Sequence, residues 1–119
     1  MAEQNKNFVI REVDGITYIR FINRNLTGTE DVERISRDIY DLLVAGARRV
    51  VLDFKHVDYI SSAALGLLIA LSQKITELKG GLVLAHPDNI MPLLKISRTE
   101  RLFKTATDGK TAMEMLGEV

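Results

Sequence analysis

The chain of 119 residues contains no cysteine and no tryptophan, and only two prolines and two histidines. Without thiols it can form no disulfide, no thiolate nucleophile and no cysteine-ligated zinc or iron–sulfur site. The histidines, His56 and His86, stand thirty positions apart, so they offer no local metal-binding cluster. An excess of one charge is also missing: Lys plus Arg total 16 and Asp plus Glu total 16. A neutral chain has no global field to draw it onto DNA or an anionic membrane, so neither is an expected partner. The longest uncharged stretch, Tyr59 to Gln73, has fifteen residues, against the ~20 needed to span a bilayer. Residues 1–7 are polar and lack the apolar run of a signal peptide. These absences lead to the expectation of a soluble, cytoplasmic, single domain with no cofactor.

What is present is strongly patterned. Phe8-Val9-Ile10-Arg11-Glu12-Val13 and Ile16-Thr17-Tyr18-Ile19-Arg20-Phe21-Ile22 are rich in β-branched and aromatic residues. Only Asp14-Gly15 separates them, a pair suited to the positive φ angles of a type I′ turn, so the spacing predicts an antiparallel hairpin. Val32, Ile35, Ile39, Leu42 and Leu43 then repeat at helical spacing, with a Thr27/Glu30 capping box before them and Gly46 as the stop. Val50-Val51-Leu52-Asp53-Phe54 reads as a buried strand, apolar until Asp53. A second helix is expected from Ser62 to Lys79, stopped by Gly80-Gly81, and Leu82-Val83-Leu84-Ala85 reads as another strand. Asp88 is placed to cap a short helix through Ile96, Leu102-Phe103 to form a last strand, and Thr111 to Leu116 a last helix. Strands alternating with helices imply parallel strands with right-handed crossovers, and the hairpin adds one antiparallel strand.

Signatures of catalysis are near misses. Gly109-Lys110-Thr111 resembles the end of a phosphate-binding loop, but the glycine required five positions earlier is Lys104. No Gly-x-Ser-x-Gly elbow surrounds any serine. No spacing joins Ser62, His86 and an aspartate into a triad, and no carboxylate pair suggests acid–base work. Lys95, Arg98, Arg101 and Lys104 form a basic patch with too little aromatic interleaving for nucleic-acid recognition. The protein is therefore read as a non-enzyme.

The stretch Tyr59-Ile60-Ser61-Ser62-Ala63-Ala64-Leu65 opens the most apolar helix directly after a strand and loop. In its plainest role, Ser61 or Ser62 is an N-cap. The position also suits a switch, because binding surfaces of open α/β sheets gather beyond the carboxyl ends of the strands. Asn23-Arg24-Asn25, Lys55 to Ser62 and His86-Pro87-Asp88 all leave that rim. A phosphate on a serine at a helix N-terminus carries about −1.5 to −2 charges. The helix amides tolerate that charge, while a partner apposed to the rim is repelled.

Those residues resemble the STAS domain of bacterial anti-sigma-factor antagonists. The Val50–Phe54 strand, Val57 and Tyr59 to Leu65 match the family's strand–loop–helix signature, hydrophobic-Asp-Ser-Ser/Thr-Gly-Leu. The resemblance implies an α/β fold in one STAS-type domain, residues 8–117, after a flexible tail, residues 1–7. Its sheet would be mixed, four- to five-stranded, with the N-terminal hairpin and about four helices. It implies a partner that is both anti-sigma factor and serine kinase, bound by the unphosphorylated form and released on phosphorylation. It further implies a serine phosphatase that resets the switch, and a monomer or weak homodimer. Aligned on Leu65-Gly66, the acceptor serine falls on Ser62, with Ser61 the alternative. The chain departs from the signature at Ser61, Ala63 and Ala64, which replace aspartate, serine or threonine, and glycine. The implied partner-binding residues are Asn23, Arg24, Asn25, Asp58, Tyr59, Ser61, Ser62, Ala63, Leu65 and His86. The competing expectation is a constitutive scaffold or ligand-sensing module of the same fold, of the stressosome type.

Overall fold

The two β-branched runs flanking Asp14-Gly15 form β1 (Phe8–Val13) and β2 (Ile16–Phe21), paired antiparallel from Phe8 opposite Phe21 to Val13 opposite Ile16. Asp14 and Gly15 have φ of 53° and 78°, as the two central residues of a type I′ turn require. The structure, a computed structural model, describes residues 7–117. After β2 come β3 (Asn25–Leu26), α1 (Thr29–Val44), β4 (Arg49–Asp53), β5 (Tyr59–Ile60) and α2 (Ser62–Glu77). Then follow β6 (Gly81–Ala85), α3 (Met91–Ile96), a single 3₁₀ turn (Glu100–Leu102), β7 (Lys104–Ala106) and α4 (Gly109–Gly117).

Strands β1-β2-β4-β6-β7 form one five-stranded mixed sheet, parallel except for β1, and β3 pairs with β5 in a separate two-stranded sheet. Alternation along the strands divides the core. Ile19, Phe21, Val50, Leu52 and Leu84 face one way, into a core completed by Val32, Ile35 and Ile39 of α1 and Leu68, Leu71 and Ile75 of α2. Ile16, Tyr18, Val51, Val83, Ala85 and Ala106 face the other way, where Ala112 and Leu116 of the short α4, with the partly buried Met113 and Met115, complete a smaller cluster. The sheet is thus thickly covered on one face and thinly on the other.

Several expected boundaries shift for local reasons. The Thr27/Glu30 capping box does not form; α1 starts after Gly28, with no side chain accepting from its first amides. Its stop is as expected, since Gly46 takes φ of 115° while its amide donates to Leu43 and that of Ala47 to Leu42. α2 ends earlier than Lys79. There Lys79 itself adopts the left-handed φ of 63°, and Gly80 is needed for space, because a Cβ would lie 2.1 Å from the Arg48 carbonyl oxygen. Asp88 caps nothing in α3, whose N-cap is Ile90. The 3₁₀ turn occupies the place expected of a Leu102-Phe103 strand, and the last strand begins at Lys104. Residues 1–6 of the expected tail lie outside the described residues. Asn7 is buried instead, its carbonyl accepting from the Ile22 amide at 3.0 Å.

Two glycine substitutions should therefore act in opposite directions. Gly80→Ala drives a methyl into the Arg48 backbone and should destabilise by about 2 kcal/mol or more. Gly66→Ala, in the α2 interior where an added Cβ meets nothing within 4 Å, should stabilise by about 1 kcal/mol. Urea unfolding of both variants checks the signs.

Candidate functional site

The two adjacent serines have different jobs in the backbone. Ser61 is the N-cap of α2: its φ and ψ are −84° and 170°, and its Oγ accepts from the Ala64 amide at 3.1 Å. Its own amide donates to the Leu26 carbonyl at 3.0 Å, tying the start of α2 to the β3–β5 sheet. Ser62 is the first residue of the helix, exposed, and among the described residues its hydroxyl makes no hydrogen bond. The cap is therefore Ser61, and the neighbouring hydroxyl is the one left available.

The loop leading to these serines is fastened at both ends. Val57 is fully buried and donates its amide to Phe54. The Arg24 carbonyl accepts from the amides of Asp58 and Tyr59, while its guanidinium reaches the Asp58 carboxylate through Nε and Nη2, both at 2.9 Å. Asn89 donates through Nδ2 to the Val57 carbonyl at 3.2 Å and to Asp58 Oδ1 at 3.4 Å. Register places Asn25 opposite Tyr59 and Leu26 opposite Ile60. Arg24, Asn25, Asp58, Tyr59, Ser62 and Ala63 are exposed there; Asn23 and Ser61 are half-buried, with Asn23 Nδ2 donating to Asn7 at 3.1 Å.

Two expected contact residues lie elsewhere. Leu65 is buried in the larger core, because the helix turns it inward with Leu68. His86, in left-handed conformation with φ of 51°, lines a cleft on the α4 side of the sheet. Conversely, sequence reasoning missed Asn89, whose neighbours Pro87 and Asp88 drew attention as a helix start. It also missed what Asp53 does, although a carboxylate ending an apolar strand was a visible signal.

Asp53 has no exposed surface. Its Oδ2 accepts from the Tyr18 hydroxyl and from Arg20 Nε, the latter at 3.3 Å, and its Oδ1 accepts from the Lys55 amide at 2.8 Å. Burial, followed by the hydrogen bond to Asp53 and that group's charge, pushes the Tyr18 phenol up to about 12. The carboxylate thus joins β2, the end of β4 and the loop that runs to Ser61.

The residues from Asn7 to Lys110 match the family model for the STAS domain, and the chain belongs to that family. A curated relative, BtrV of Bordetella bronchiseptica, named as an anti-sigma factor antagonist, is 27% identical over 90 residues, covering 75% of this chain and 78% of BtrV. A Thermotoga maritima protein described as an anti-sigma factor antagonist superposes with a TM-score of 0.82 at 20% identity, covering 92% of this chain and 94% of that one. SpoIIAA in its unphosphorylated form superposes at 0.75 with 18% identity, covering 94% and 99%; the phosphorylated Bacillus form superposes at 0.71 with 20%, covering 91% and 97%. At those identities the structural likeness establishes the fold. Among the described residues no group of three or more His, Cys, Asp or Glu is placed to hold a metal ion. No helix of the described residues is long and apolar enough to cross a membrane.

The geometry sets two expectations. Ser61→Ala should cost about 1 kcal/mol of stability through the lost cap, and Ser62→Ala almost nothing. In a Tyr40→Phe/Tyr59→Phe background Tyr18 is the remaining tyrosine, and its absorbance titration should centre near 12 rather than 10.0. Because the folded value lies above the unfolded one, the phenol's contribution to stability is full below pH 10 and is lost as pH rises toward 12. A midpoint near 10.0 would show that the Tyr18–Asp53 bond is not formed in solution.

Proposed function

We propose that this protein is an anti-sigma factor antagonist whose binding is switched by phosphorylation of Ser62. The observation that carries the reading is the pair of serines at the start of α2. One hydroxyl is consumed as the cap, and the other is exposed at the first helical position with no bond to break. A phosphate there sits over the free amides and positive end of the helix, so adding about −1.5 to −2 charges leaves the fold standing. The same charge projects from a surface of Arg24, Asn25, Asp58, Tyr59 and Ala63, and repels a partner seated on it. The switch works by charge at fixed geometry and needs no rearrangement of the loop.

The partner implied is an anti-sigma factor that is also a serine kinase, with a serine phosphatase resetting the modified form. The chain itself supplies a substrate hydroxyl and a docking surface, with no catalysis of its own. The structures of SpoIIAA in unphosphorylated and phosphorylated form support the reading, because the same fold carries both states in that structural neighbour.

Incubation with a candidate anti-sigma factor kinase and ATP, followed by intact mass, is the direct test. Wild type and Ser61→Ala should each gain one phosphate, and Ser62→Ala none. Ser62→Asp should stay folded and bind the unmodified protein's partner about tenfold more weakly, the effect of one like charge at a docked surface. Incorporation lost in Ser61→Ala and retained in Ser62→Ala would move the acceptor by one residue. Partner binding indifferent to ATP and to both substitutions would favour the constitutive scaffold.

A further inference from the structure

The thinly covered face of the sheet has its own concavity. Between the β1–β2 hairpin and α4 runs a cleft of about 740 Å³, within the size range of small-molecule sites and too small for a macromolecular groove. Its lining includes Arg11, Arg20, Arg49, Lys55 and Lys110, with His86 at the rim of β6, against two carboxylates, Asp14 and Glu114. In a chain of zero net charge, that concentration of cations inside a concave surface focuses a local positive field.

The cations are held rather than merely gathered. Arg49 donates to the carbonyls of Asp14 at 2.8 Å and Leu116 at 3.3 Å, neutral acceptors that orient the guanidinium without cancelling its charge. Arg20 is anchored through Nε on Asp53 at 3.3 Å, an ion pair that offsets its charge. Arg11, Arg49, Lys55 and Lys110 therefore supply the cleft's positive charge. Arg11 lies over the Tyr18 ring at 6.0 Å from its centroid. Gly109 lets the first turn of α4 press against Tyr18, since a Cβ there would lie 2.1 Å from the phenol oxygen. That close approach puts Lys110 on the cleft wall.

We propose that this cleft binds a compact polyanion, a small molecule carrying a diphosphate or several carboxylates. Planar guanidinium forks and lysine ammonium groups lining one cleft suit clustered anionic oxygens. The site stands independently of the reading of Ser62. It is nevertheless tied to the loop before it, because Arg20 of the cleft and the Lys55 amide share the Asp53 carboxylate.

The test is titration of the full ¹⁵N-labelled chain with inorganic pyrophosphate and, separately, citrate, at ionic strength held constant with potassium chloride. The expected result is saturable movement of amides at Arg11, Tyr18, Lys55, Gly109 and Lys110. Arg11→Gln and Lys110→Gln, both exposed positions, should keep the fold by circular dichroism and each weaken binding about tenfold, the loss of one charge-assisted hydrogen bond. Ser62→Ala should bind as wild type. Saturation by pyrophosphate alone assigns a phosphorylated ligand, by citrate alone a polycarboxylate, and by both a site that reads charge density. Shifts that never saturate, that chloride reproduces, or that survive in the Arg11→Gln/Lys110→Gln double variant would overturn the proposal.

Discussion

A carboxylate with no contact with water ends the central strand of this sheet, and the burial of Asp53 constrains most of what surrounds it. Removing such a charge from water is costly unless hydrogen bonds and a counter-charge offset it. Three donors do so here, the Tyr18 hydroxyl, Arg20 Nε and the Lys55 amide. Two come from β2, where parallel pairing places Arg20 opposite Asp53. A slip of one residue would turn Tyr18 and Arg20 to the other face and leave the carboxylate bare. The third donor turns the chain at the strand's end and starts the loop toward the serines.

From that point the two faces of the sheet take on different characters. One carries α1 and α2 over a core of large aliphatic side chains, so the N-terminus of α2 is a rigid platform. Ser61 closes the helix end and bonds across to Leu26, and the exposed Ser62 hydroxyl rides on that platform with no structural duty. Separation of cap from free hydroxyl leaves the helix start independent of the Ser62 side chain. The Arg24–Asp58 pair is largely exposed and worth little in stability; its role is to hold the loop in one shape.

The other face is covered by a single short helix. Ala112 and Leu116 cover the middle of the sheet, and the strands nearest the hairpin turn their side chains to a cleft lined with cations. Asp53 lies between the two regions, receiving bonds from the cleft side and from the loop.

Much of this was legible in the amino-acid order. The hairpin was written in Asp14-Gly15 between β-branched runs, α1 in its three-and-four spacing, and the mixed sheet in alternating element types, because these signals are local and repeat over many residues. The strand–loop–helix motif likewise pointed to the serines. Tertiary structure decided the rest. Which serine caps α2 depends on one 3.1 Å hydrogen bond, and both serines are chemically able to make it. Lys79 takes the left-handed turn, and Gly80 is needed next to it against the Arg48 backbone, a contact thirty-two positions away. The β3–β5 sheet escaped notice because two-residue strands carry no period. Asp53 found partners thirty-three and thirty-five residues earlier, and the cleft drew cations from β1, β2, β4 and α4 and the loop after β4. Such groupings exist only once the sheet has formed, because pairing in space sets them and spacing along the chain does not.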